Sequence, residues 1–106
     1  MSNVVIHVDE PQKVAMAISN SRNFLALRPT STLVIVVNGP AIATLTTGAW
    51  DALLTELPQV EVDACQNAMR SHQLAAADLP TGVTIVPAGV VRLVELQEQG
   101  YAYLKP

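Results

Sequence analysis

Cys65 is the only thiol in the 106-residue chain. It follows a strand-like run, Val60-Glu61-Val62-Asp63-Ala64, and precedes a polar, helix-compatible stretch, Gln66-Asn67-Ala68-Met69-Arg70. A thiol at a strand-to-helix junction lies near the positive end of a helix dipole, which favours the thiolate, the nucleophilic form of sulfur. The competing reading is a small apolar filler, because free cysteine is among the most often buried residues. Whether the native thiol is accessible separates the two.

No other grouping rivals it. His7 lies within the first strand pattern and reads as a hydrogen-bonded core or interface residue. His72 is seven residues beyond Cys65, too far for one helical turn. One cysteine and two distant histidines do not make a zinc site. Gly39-Pro40 and Ala88-Gly89-Val90 are too short for a phosphate-binding loop, and no G-x-S-x-G elbow occurs. We therefore expect neither a metal nor a cofactor. Asp9 and Glu10 are adjacent carboxylates, but Pro11 beside them points to helix capping. Trp50, Tyr101 and Tyr103 read as packing residues, within the fold or across a subunit contact.

The elements that must position Cys65 alternate along the chain. Strands are expected at Val4–Val8, Thr32–Val37, Val60–Ala64, Val83–Val86 and Tyr101–Leu104. Helical segments are expected at about 11–27, 41–57 (with a break near 46–48), 66–71, 73–78 and 90–99. Val14, Ile18, Ser21 and Leu25 share one face at helical spacing. Arg28-Pro29 ends that helix, since a proline disfavours helical geometry in the residue before it. The run Leu33-Val34-Ile35-Val36-Val37 is apolar without alternation, as in parallel strands covered on both faces. Strand–helix alternation argues for a three-layer α/β/α domain over residues 1–106 with a mostly parallel five-stranded sheet. The carboxyl ends of four parallel strands then gather Asp9-Glu10, Asn38-Gly39, Cys65-Gln66-Asn67 and Pro87-Ala88-Gly89, where ligands bind in such sheets. The candidate pocket around Cys65 is accordingly Asp9, Asn38, Gly39, Gln66, Asn67 and Gly89.

Composition narrows the partners. Net charge is −3, and the six basic residues are scattered, so no stripe exists for nucleic acid. No apolar run approaches the length of a membrane span, and the amino terminus lacks the pattern of a signal peptide. With one cysteine, the expected compartment is the reducing cytoplasm. Charged residues make up 14% of the chain, against about 25% in an ordinary soluble domain. So few charges imply that other subunits cover part of the surface.

The order and spacing of several segments resemble the DsrE/DsrF-like family of small sulfur-metabolism proteins, particularly its stand-alone, YchN-like members. They are Val4-Val5-Ile6-His7-Val8-Asp9-Glu10, Ile18 to Phe24, Leu33 to Gly39, Ala64-Cys65-Gln66-Asn67-Ala68-Met69, Pro87-Ala88-Gly89-Val90 and Glu98 to Pro106. The resemblance implies a flavodoxin-like sandwich that assembles as a trimer or hexamer. It also implies a cysteine at the position of Cys65 that carries sulfur as a persulfide between a donor and an acceptor protein. Relay subunits usually show another environment after the cysteine than Gln66-Asn67. The reading is thus an oligomeric sulfur carrier with Cys65 as nucleophile. The alternative is a non-catalytic, oligomeric small-ligand-binding module in which Cys65 is packed.

Overall fold

The computed structural model describes residues 2–106. Its five strands are β1 (Asn3–Val8), β2 (Thr32–Val37), β3 (Glu61–Cys65), β4 (Val83–Val86) and β5 (Ala102–Leu104), in the spatial order β4-β3-β2-β1-β5. Every pairing is parallel. The helices are α1 (Val14–Leu27), α2 (Asp51–Glu56), α3 (Gln66–Ser71) and α4 (Gly89–Glu98).

Alternation along the strands divides the core in two. Val4, Ile6, Val8, Leu33, Ile35 and Val37 join Val14, Ile18, Ile42, Leu53 and Met69 on one face. Val5, Val34 and Val36 meet Leu93 and Leu96 of α4 on the other. The fold is an α/β/α sandwich with unequal layers: three successive connections cover one face, and α4 alone covers the other as it carries the chain from β4 to β5. β2 is the central strand, and Leu33 to Val37 are all buried. Burying one such side chain favours folding by roughly 1.5–3 kcal/mol, so the unbroken run is what both layers are built upon.

Three expectations are corrected. The segment 41–57 breaks after Thr46 as expected, but its first part is not α-helical: Gly39–Thr46 forms a 3-10 helix, and α2 begins only at Asp51. Thr44, Thr46 and Thr47 each turn a hydroxyl onto the carbonyl three residues earlier, at 2.6, 3.0 and 2.8 Å, which suits the tighter winding. Gln73 does not open a helix. It ends α3 in the left-handed region (φ 58°), with Leu74 N–H on the Met69 carbonyl at 2.8 Å. Only Ala76–Asp78 wind beyond it, as a 3-10 turn. Glu10 occupies the N-cap before the 3-10 turn Pro11–Lys13, but its side chain makes no capping bond. The Asp9 carboxylate instead accepts Lys105 Nζ at 2.7 Å. No helix among the described residues is long and apolar enough to cross a membrane.

Candidate functional site

Cys65 is the last residue of β3 and the N-cap of α3, with extended backbone (φ −69°, ψ 116°). β3 stops there because the chain turns at once into helix, leaving the side chain at the carboxyl edge of the sheet. The register places Val37 beside Ala64, so continuing one residue sets Asn38 level with Cys65. On the other side Cys65 pairs with Val86, after which Pro87-Ala88 leads into α4.

These strand ends frame an open cleft of about 260 Å³. Of the residues expected there, Asn38, Gly39, Cys65, Asn67 and Gly89 line it, joined by Ala68, Ser71, Ala88 and, at the start of α4, Val90. Asp9 and Gln66 do not. The Asp9 carboxylate is drawn off by Lys105, whose ammonium holds it below its usual range. Its backbone carbonyl accepts Ala41 N–H at 3.1 Å, closing the turn through Gly39, which sits at φ 53°. Gln66 follows the N-cap and lies outside the lining. Cys65 itself is 6% exposed and packs into the larger core. Its side chain makes no capping hydrogen bond and α3 spans only 6 residues, so the helix end does less for a thiolate than the junction alone implies. His72 gives the thiol no base: its Nδ1 lies 3.0 Å from the Ala68 carbonyl.

Two polar assemblies flank the cleft on the α4 face. In the first, Tyr103 Oη lies 2.6 Å from His7 Nδ1, and His7 Nε2 lies 2.9 Å from Asn38 Oδ1. His7 is hydrogen-bonded as its place in the strand pattern implies, and the link to the pocket is what that pattern does not show. The available signal was parity: in parallel strands of matching register, residues two apart share a face. In the second, Arg92 of α4 donates to Asp63 Oδ2 at 2.9 Å and to Glu61 Oε2 at 3.0 Å. Asp63 is fully buried, and its Oδ1 has no hydrogen-bond partner among the described residues. Burial, then the neighbouring Glu61 carboxylate, pushes its carboxyl up to about 7. Glu61 is held low, first by its interaction with the Asp63 carboxyl and also by Arg92. This pair anchors α4 to β3 two residues before Cys65.

A larger groove of about 400 Å³ runs between Val14, Ile18, Ala49 and Ala52, but it offers no nucleophile or base. Among the described residues no group of three or more His, Cys, Asp or Glu side chains is placed to hold a metal ion.

The fold and its cleft thus define a small, parallel α/β/α protein whose one thiol sits at the carboxyl edge of the sheet. The chain belongs to the DsrE/DsrF-like family, a sulfur-relay type of family, whose model matches residues 4–106. The structure is similar to that of a protein of unknown function, MTH1491, from Methanobacterium thermoautotrophicum: 29% identity, TM-score 0.88, all of both chains covered. It shares its fold with the ychN protein of E. coli (14% identity, TM-score 0.75, all of both chains covered). The same holds for BT1422 of Bacteroides thetaiotaomicron, at 20% identity and TM-score 0.72, covering 99% of this chain and 95% of that one. No curated protein matches the chain.

Proposed function

We propose that this protein is a sulfur carrier in which Cys65 holds sulfane sulfur as a persulfide. The observation that carries the reading is the meeting of the only thiol with Asn38, Asn67 and Gly89 in one open cleft, in a chain of this family. The Cys65 thiolate attacks the outer sulfur of a donor protein's persulfide. A sulfur–sulfur bond forms on Cys65, the donor's sulfur–sulfur bond breaks, and the donor leaves as a thiolate. The acceptor's thiolate repeats the exchange, and no net oxidant is needed. Carboxamide donors at the cleft suit a terminal sulfur that bears charge. The setting is the reducing cytoplasm.

The carrier is a homo-oligomer, a trimer or a hexamer. Val90, Val91 and Val94 of α4 are each more than half exposed, on the face that α4 covers alone. They supply apolar surface that the few charged residues do not offset. Mass spectrometry of protein isolated without reductant tests the function: one added sulfur atom on the Cys65 peptide is expected. The low exposure of Cys65 favours the second reading, a small-ligand-binding module with a packed cysteine. An unmodified peptide, with a thiol that alkylates only after unfolding, would select it.

A further inference from the structure

We infer that His7 and Tyr103 are positioning residues that aim the Asn38 side-chain amino group at the sulfur of Cys65. The inference rests on the persulfide reading of the cleft and supplies its missing hydrogen-bond donor.

Strand register sets the geometry. β5, β1 and β2 are neighbours, with Tyr103 beside Val5 and His7 beside Val36. His7 is therefore two residues nearer the carboxyl edge than Tyr103, and Asn38 two nearer than His7, all on one face of the sheet. Asn38 arrives level with Cys65. The result is a diagonal of side chains that starts at the edge strand β5 and ends in the cleft.

Hydrogen-bond chemistry sets the direction. Asn38 Oδ1 can only accept, so His7 Nε2, at 2.9 Å, carries the proton. In the neutral ring Nδ1 is then bare, and Tyr103 Oη donates to it at 2.6 Å. With Oδ1 held by His7, the planar carboxamide must send Nδ2 the opposite way. There it lies 3.3 Å from the point a Cβ on Gly89 would occupy, and Cys65 Cβ lies 3.3 Å from the same point. None of the hydrogen bonds among the described residues uses Nδ2, the resting Cys65 thiol included, so both of its protons are left for the outer sulfur of a persulfide in the cleft. A flipped carboxamide would turn an acceptor oxygen toward a sulfur anion and repel it.

The test follows Cys65 in the full chain by two measurements: single-turnover sulfur loading from glutathione persulfide, and nuclear Overhauser contacts from the Asn38 Hδ2 protons. In the unaltered protein those protons should contact Cys65 Hβ and Gly89 Hα. His7→Ala should lose or average these contacts and load about tenfold more slowly, the scale of one charge-assisted hydrogen bond. His7→Gln, which restores a donor to Oδ1, should recover most of that rate. Tyr103→Phe should fall between, because the ring tautomer is no longer imposed. Asn38→Asp should load at least as slowly as His7→Ala. Absence of the contacts in the unaltered protein overturns the inference. So does a His7→Ala variant that loses them yet loads at full rate, or a His7→Gln variant as slow as His7→Ala. If the unaltered protein takes up no sulfur at all, the persulfide reading fails, and the Overhauser contacts alone then decide whether His7 orients Asn38.

Discussion

A methyl group on Gly89 would lie 3.3 Å from Cys65 Cβ and 3.0 Å from Asn38 Cβ, so Gly89 and Cys65 meet where a side chain fits only if its neighbours give way by a few tenths of an ångström. Gly89→Ala should therefore narrow the cleft against the thiol while adding a helix former to the first turn of α4. Stability should change by no more than about 1 kcal/mol, because the propensity gain opposes the tight contact. Native alkylation of Cys65 by iodoacetamide should slow by about tenfold, as expected for a reactive cysteine that loses access. An unchanged alkylation rate would show that reagents reach the sulfur by another route.

Asp63 makes stability depend on pH in an unusual sense. Its carboxyl rises from an ordinary value near 3.8 to about 7 on folding. Between those values the folded chain holds a proton that the unfolded chain releases, so this contribution to stability falls as pH rises. The slope is at most about 1.4 kcal/mol per pH unit for one group. Glu61 is held below its ordinary 4.5 when folded, so its opposing contribution is lost only as pH falls into the acid range. Urea midpoints of the unaltered protein should decline from pH 5.5 to pH 7.5. In Asp63→Asn, which keeps an oxygen for Arg92, that decline should vanish; a parallel decline in both proteins would remove Asp63 as the cause.

The exposed valines of α4 give the assembly reading a clean test. Val90 and Val94 are 63% and 55% exposed, so Val90→Glu with Val94→Glu should cost an isolated subunit only about 0.5 kcal/mol per site. In an oligomer closed by this face the same pair buries two unpartnered carboxylates at each contact. Light scattering should give several times 11.3 kDa for the unaltered chain and about that mass for the double variant. A monomeric unaltered chain would refute the assembly, and an intact oligomer of the variant would move the contact to another face.

Much of this architecture is written locally, and the exceptions share a cause. The unbroken run Leu33 to Val37 announces a strand covered on both sides, and Pro29, Pro58 and Gly100 punctuate the chain where elements end. Once a parallel sheet is assumed, Asn38, Gly39, Cys65 and Gly89 must lie at its carboxyl edge. Asp9 is lost from the pocket because Lys105, ninety-six residues away, takes its carboxylate. The Tyr103–His7–Asn38 diagonal requires knowing that β5 lies beside β1, and hydrophobic periodicity carries no strand order. The Arg92–Asp63 contact is hidden for the same reason. The 3-10 winding at Gly39–Thr46 is a local miss: its threonine hydroxyls compete for backbone carbonyls, which apolar spacing does not record.

Cys65 can be judged by the difference between two small replacements. The residue is 6% exposed and packed into the larger core, so each replacement has a structural cost that must be separated from chemistry. Cys65→Ala leaves a small void and should cost about 1 kcal/mol. Cys65→Ser puts a hydroxyl in the same space and should cost about 1–2 kcal/mol where it finds no partner. Both should fold and assemble as the unaltered chain does, by circular dichroism and light scattering. Neither should accept sulfur from glutathione persulfide. In the unaltered protein, alkylation at rates independent of sub-denaturing urea would mean the thiol reacts from the folded state, as a carrier requires. Rates that climb with urea in step with unfolding would mean the sulfur is reached only through opening. The cleft would then be left to a bound ligand, with Cys65 as its wall.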